Sequence, residues 1–236
     1  MKIFSLLFVL IVFIFSNVNC TNFSDVLENE ITINTEKLNN SLSSECVEEE
    51  KNSEYKVCTP EITLGNYKES CSNFKSEKCQ KFYSDPDISK YYPICSKNPL
   101  YNEYLQPIMI KTIKQELELQ CLTDENGDMC PFALYVIQHE GNNVIYDNCK
   151  SKKCTESLHE IYKNMNIDQF AAFENLTTSN EKFSYRQINS IKQVVEILES
   201  DKCKNLYLQY SSGIIKNNIN NISLIMLMLL SLLIFY

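Results

Sequence analysis

Tryptophan is absent from the 236 residues, glycine occurs four times and proline six. So few glycines argue against a sandwich of strands joined by tight turns, and the missing indole rings argue against a carbohydrate platform built on them. Histidine occurs twice, so a Ser-His-Asp or Cys-His site must use His139 or His159. His139 falls in a turn-like segment and reads as a solvated loop residue, and His159 reads as the edge of a helix. No Gly-x-Ser-x-Gly, His-Glu-x-x-His or phosphate-cradling glycine loop is present. No CxxC pair occurs either, which leaves structural zinc without its usual spacing. A single arginine, Arg186, stands beside many lysines and asparagines, a skew that fits AT-rich codon usage.

What is present is 44% apolar and 22% charged residues, enough for one ordinary core or two small ones, with a bias towards helix. Both ends are apolar. Lys2 precedes the run Ile3 to Phe15, and Ser16 to Cys20 supplies polar and small positions. This pattern predicts a signal peptide over residues 1–20 with the mature start near Thr21, the run being short against the roughly 20 residues of a membrane span. At the other end, Ser211-Ser212-Gly213 is followed by a spacer from Ile214 to Asn221 and an apolar stretch from Ile222 to Tyr236. That order predicts a GPI-attachment signal over 211–236, removed on attachment at Ser211 or Ser212, with a tail-anchored span as the alternative.

Without Lys2 and Lys216, 20 of the 22 basic residues remain against 30 acidic ones, so the ectodomain is near −10. An acidic surface repels phosphate backbones and anionic lipid heads, which argues against nucleic acid as a partner and against a polybasic membrane patch.

If Cys20 leaves with the signal peptide, ten cysteines remain: Cys46, Cys58, Cys71, Cys79, Cys95, Cys121, Cys130, Cys149, Cys154 and Cys203. The even number predicts five disulfides. Helix spacing suggests an αα-hairpin closed by a Cys58–Cys71 bridge inside a Cys46–Cys79 bridge.

Residues 21–44 are polar with a loose helical stripe (Phe23, Leu27, Ile31, Leu38, Leu42) and read as a helix or a stalk. The sequons at Asn22, Asn39 and Asn175 mark exposed backbone if glycosylated. Residues 45–210 form the predicted ectodomain. All six prolines lie between Glu45 and Pro131, which predicts short helices broken by bends. Tyr67, Cys71, Phe74 and Phe82 share one face of a helix ending near Asp85-Pro86, and Ile110, Ile113, Leu117 and Cys121 mark a second that starts near Pro107. Beyond Pro131, helices are expected from Cys154 to Met165 and from Phe183 to Asp201. The latter carries Ile188, Ile191, Val195 and Leu198 on one face, and Thr178 to Glu181 is its candidate capping box. Phe132 to Tyr146 fits either a helix and a loop, favoured for its first half, or a small β-hairpin.

Thr123 to Asp128 resembles a calcium loop, but aligning Gly127 with the sixth position puts Leu122 first and Ala133 twelfth, so a turn is expected instead. Glu48-Glu49-Glu50 reads as a solvated run, and Asp85-Pro86-Asp87 as a turn and helix start. No residue is assigned a catalytic, cofactor-binding or metal-binding role. The abundant carboxylates leave a hydrolase built on a carboxylate pair as a remote alternative.

The segments Asn66 to Cys71, Ser76 to Cys79 with Phe82-Tyr83, Asp124 to Pro131 and Cys149 to Cys154 give the stretch 45–155 its character. It resembles the lineage-specific, cysteine-rich, GPI-anchored surface proteins of AT-rich eukaryotic microbes, such as anaerobic fungi. Elicitins, helical sterol carriers of water moulds, are similar in kind but have six cysteines in about half the length. The fungal eight-cysteine surface module has closely spaced cysteine pairs that are missing here. The resemblance implies a location and a general architecture rather than a mechanism. It points to a mainly α, disulfide-braced, non-enzymatic ectodomain on the outer leaflet, needing no cofactor, with an extracellular protein or glycan as partner. The alternative is an extracellular carrier of a small apolar ligand such as a sterol or lipid.

Overall fold

The computed structural model describes residues 10–12, 29–31, 38, 40–138, 143–165, 168–169, 172 and 185–211. Over these the chain is mainly helical and carries five disulfides. The one ribbon among them is a short antiparallel pairing of β1 (Leu10–Val12) with β2 (Asn29–Ile31), with Leu10 opposite Ile31. Its strands lie on either side of the predicted signal-peptide cut near Thr21, so a chain cut there loses the pairing. β2 also shows that residues 21–44 are not one helix, and the core begins before residue 45, because Leu38 is buried and Leu42 packs against the same cluster.

Prolines and capping side chains set the helix lengths. Ser43 caps α1 (Ser44–Asn52) by accepting from the Cys46 N–H, and a 3-10 turn (Lys56–Cys58) follows. The segment expected as one helix up to Asp85 is two, α2 (Tyr67–Phe74) and α3 (Glu77–Ser84). The break falls at Lys75-Ser76, where the extended backbone of Ser76 lets its hydroxyl accept from the Cys79 N–H and start a new helix. Asp87 then caps a 3-10 turn (Ile88–Tyr91), and another 3-10 turn (Cys95–Lys97) leads to α4 (Pro99–Tyr104). α5 (Pro107–Gln120) starts at the predicted proline, where the missing N–H costs nothing.

The β-hairpin alternative is overturned. Phe132 to Ile137 lie in α6 (Pro131–Gln138) and Val144 to Tyr146 in α7 (Val144–Asn148). The run is apolar throughout rather than alternating, so it suits a buried helix, and Phe132, Ala133 and Val136 are all buried. α8 (Lys152–Lys163) is capped by Ser151, and α9 (Tyr185–Glu199) leads into a helical stretch over 201–211. On α9 the buried positions are Val194 and Leu198, with Ile191 and Val195 partly buried, so the inner face includes a valine outside the predicted stripe.

The core divides into two clusters. The first gathers apolar residues from Leu38 to Cys121, and the second from Leu119 to Cys203. α5 belongs to both, giving Met109, Ile110, Ile113 and Leu117 to the first and Leu119 to the second. The bridges respect this division: Cys46–Cys95, Cys58–Cys79 and Cys71–Cys121 lie in the first cluster, and Cys130–Cys154 and Cys149–Cys203 in the second. The predicted Cys58–Cys71 and Cys46–Cys79 pairs are therefore wrong. The break between α2 and α3 turns Cys79 onto the Lys56–Cys58 turn and frees Cys71 to meet the C-terminal end of α5.

Candidate functional site: a charged cleft where the two cores meet

Glu48-Glu49-Glu50 is not the solvated run its composition suggests. The Glu49 carboxylate accepts from the N–H groups of Ile94 (3.0 Å) and Cys95 (2.8 Å), which fixes the turn that carries the Cys46–Cys95 bridge. Glu50 is buried, and that burial pushes its carboxyl up to about 7 against the opposing Tyr101 hydroxyl and Lys56 charge. On α5 burial raises Glu116 to about 8, with the Gln120 amide (3.2 Å) opposing. Burial and the Glu116 charge together hold the Tyr162 phenol well above its usual range. Two carboxyls, Glu50 and Glu116, are thus buried and readily kept protonated.

The turn at Thr123 to Met129 is the one expected. Thr123 and Met129 form an isolated antiparallel bridge, the Asp124 carboxylate accepts from the N–H groups of Asn126 and Asp128, and Gly127 has φ +86°. Both Asp124 contacts come from the turn's own backbone, so this carboxylate shapes the loop. Among the described residues no group of three or more His, Cys, Asp or Glu is placed to hold a metal ion, and all ten predicted cysteines are in bridges.

Just past α5 a cleft of about 400 Å³ opens between α5 and α8. The two helices run antiparallel, since Lys153 near the start of α8 reaches the segment after α5, and Lys111 near the start of α5 donates to the Asn164 carbonyl beyond α8. α5 lends Gln115 and Glu118, and α8 lends Lys153, Ser157, Glu160 and Ile161. Phe74 and Leu122 supply apolar wall, and Lys75, at the break between α2 and α3, joins the lining. Lys75 Nζ donates to the Cys121 carbonyl (3.1 Å), and Lys153 Nζ donates to Thr123 Oγ1 (3.1 Å) and the Asp124 carbonyl (2.8 Å). Burial, then the charge of Lys153, lowers the Lys75 ammonium below its usual range. Burial and the neighbouring Glu160 raise Glu118, against Lys114 at 3.7 Å.

Of the residues singled out from sequence, His159 Nε2 lies 2.7 Å from Glu199 Oε1, which ties α8 to α9 away from the cleft lining. Asn22, Asn39, Asn175, Ser212, His139 and the capping candidates Thr178 to Glu181 lie outside the described residues. Ser211 is exposed at the end of the last described helical stretch, its hydroxyl donating to the Leu208 carbonyl (3.2 Å). Among the described residues no helix is long and apolar enough to cross a membrane. The cleft residues Lys75, Glu118, Lys153 and Glu160 are not among those the sequence singles out. The spacing of Lys153, Ser157 and Glu160 along one helix face is readable, but a single helix face does not show which segment lies opposite it. Comparison with known proteins adds no relative: no family model matches the chain, and no curated protein or solved structure is similar to it.

Proposed function

We propose that this chain is a non-enzymatic cell-surface protein, a helical disulfide-braced ectodomain held on the outer leaflet by GPI and acting in adhesion, wall organisation or surface coating. The observation that carries this reading is the complete pairing of Cys46 through Cys203 into five bridges. Such a density of bridges persists in oxidising compartments and is rare in the cytosol. The apolar run after Lys2 supplies the entry signal, and the order of small residues, polar spacer and apolar stretch from Ser211 onward supplies the attachment signal. Treatment of intact cells with phosphatidylinositol-specific phospholipase C is expected to release the folded ectodomain. Retention on cells that release a control GPI protein contradicts the anchor.

A hydrolase built on two carboxylates is the second reading, because Glu118 and Glu160 line one cleft and burial raises the first of them. Turnover of an aryl glycoside, lost in Glu118→Gln, supports it, and no turnover from pH 4 to 8 removes it. The apolar-carrier reading gains less. The large rings Phe82 and Phe132 are almost wholly buried and packed on neighbouring rings.

A further inference from the structure

The cleft between α5 and α8 sorts its charges by sign. At one end two ammonium groups hang from the same short segment, Lys75 on the Cys121 carbonyl and Lys153 on Thr123 and Asp124. Among the described residues neither has a carboxylate at ion-pair distance, and the two stand close enough that the charge of Lys153 acts on Lys75. In a chain of formal charge −8, an unneutralised lysine pair facing one cleft runs against the general balance.

Further along the same cleft stand Glu118 and Glu160. Lys153 and Glu160 share a face of α8 with Ser157 between them, and seven residues of helix separate them by about 10 Å along the axis. Phe74, Leu122 and Ile161 contribute apolar surface to the lining. Lys114 already answers part of the Glu118 charge, which leaves Glu160 as the cleft carboxylate without an ion pair among the described residues. The volume lies within the range of small-molecule sites.

We propose that this cleft binds a small zwitterion whose anionic and ammonium ends are separated by an apolar body several carbons long. The anion sits on Lys75 and Lys153, the ammonium on Glu160 and Glu118, and the methylenes on the apolar lining. A simple anion relieves the repulsion between the lysines but points its tail at two carboxylates, and a simple cation leaves the lysines unrelieved. A ligand carrying both charges at matched spacing satisfies both ends.

The test uses the full chain made through a secretory route with its bridges intact, titrated calorimetrically with ω-amino acids from glycine to 8-aminooctanoate. Hexanoate and hexylamine are the single-charge controls. Affinity is expected to rise along the series to a maximum at roughly six to eight carbons, as the helix spacing requires. There 6-aminohexanoate is expected to bind about ten-fold tighter than either control. Lys75→Met with Lys153→Met abolishes binding of 6-aminohexanoate and hexanoate alike, whereas Glu160→Gln weakens 6-aminohexanoate about five-fold and spares hexanoate. All these side chains reach solvent, so near-UV dichroism is expected to stay native in the variants. Affinity that is flat along the series, a zwitterion no tighter than hexanoate, undetectable binding at about 50 mM, or folded variants that bind as the parent does would each overturn the proposal.

Discussion

The two cores of this protein reach stability by different routes. The first, from Leu38 to Cys121, packs short helices and 3-10 turns around five of the six prolines against one longer helix, α5, and three bridges cross it. Its interior is aromatic: Tyr55 stacks on Phe82, Tyr83 and Tyr92 meet Phe82 edge-on, and Tyr92 touches Tyr101. The second core, from Leu119 to Cys203, rests mainly on the amphipathic helices α8 and α9 with two bridges. A helix of eight residues or fewer presents little more than one turn of apolar face, so burial alone fixes it weakly. Where prolines forbid length, cross-links and large rings take over that role. Where they do not, helix periodicity carries more of it, with two bridges added.

Removing a bridge challenges this contrast most severely. Cys71→Ala with Cys121→Ala opens a 50-residue separation and is expected to cost about 4 kcal/mol in denaturant unfolding. Hydrogen exchange is expected to quicken first in α1 to α3 while α8 and α9 keep their protection, and an equal loss throughout would show that the halves are not separately braced. Leu158→Ala, in the second core, is expected to cost about 3 kcal/mol, because its side chain is fully buried between helices that cannot close the gap. The largest exchange losses then fall in α8 and α9.

The buried carboxyls give the pH dependence. Folded Glu50 and Glu116 are raised to about 7 and about 8 from an ordinary value of 4.5, so the native state holds protons that the unfolded chain has released. Their stabilising contribution is complete below about pH 4.5 and is lost as pH rises through about 7 and 8. Glu116→Gln is expected to regain on the order of 2 kcal/mol at pH 8.5 and little at pH 5, read from paired thermal melts. A variant whose loss between pH 5 and 8.5 matches the parent's would move that pH dependence elsewhere. The mildest change is Ser76→Ala, which removes the hydroxyl that starts α3 and is expected to cost about 1 kcal/mol in thermal unfolding. No measurable cost would mean that the Cys58–Cys79 bridge alone fixes the start of α3.

The second core is more legible in the sequence than the first, for the same physical reason. α8 and α9 follow from period 3.6, though the inner face of α9 also takes Val194 from outside the predicted stripe, and α5 follows from Pro107 with Ile110, Ile113 and Leu117. The break at Ser76 is a local hydrogen bond competing with an unbroken apolar stripe, and the stripe read alone hides it. Without that break the pairing of Cys58, Cys71 and Cys79 comes out wrong, because bridge partners depend on where a helix ends. Glu49 and Glu50 mislead for a related reason: a run of three glutamates gives no sign that one caps a distant turn and another is enclosed. The cleft is invisible in the sequence because its lysines and glutamates come from α5, α8 and the α2–α3 break, which only the packing brings together.

Peptide mapping of the unreduced protein by mass spectrometry is the decisive measurement for a molecule braced as two cores. It should find Cys46–Cys95, Cys58–Cys79 and Cys71–Cys121 in one set and Cys130–Cys154 and Cys149–Cys203 in the other. A bridge joining any cysteine up to Cys121 with one from Cys130 onward would contradict it.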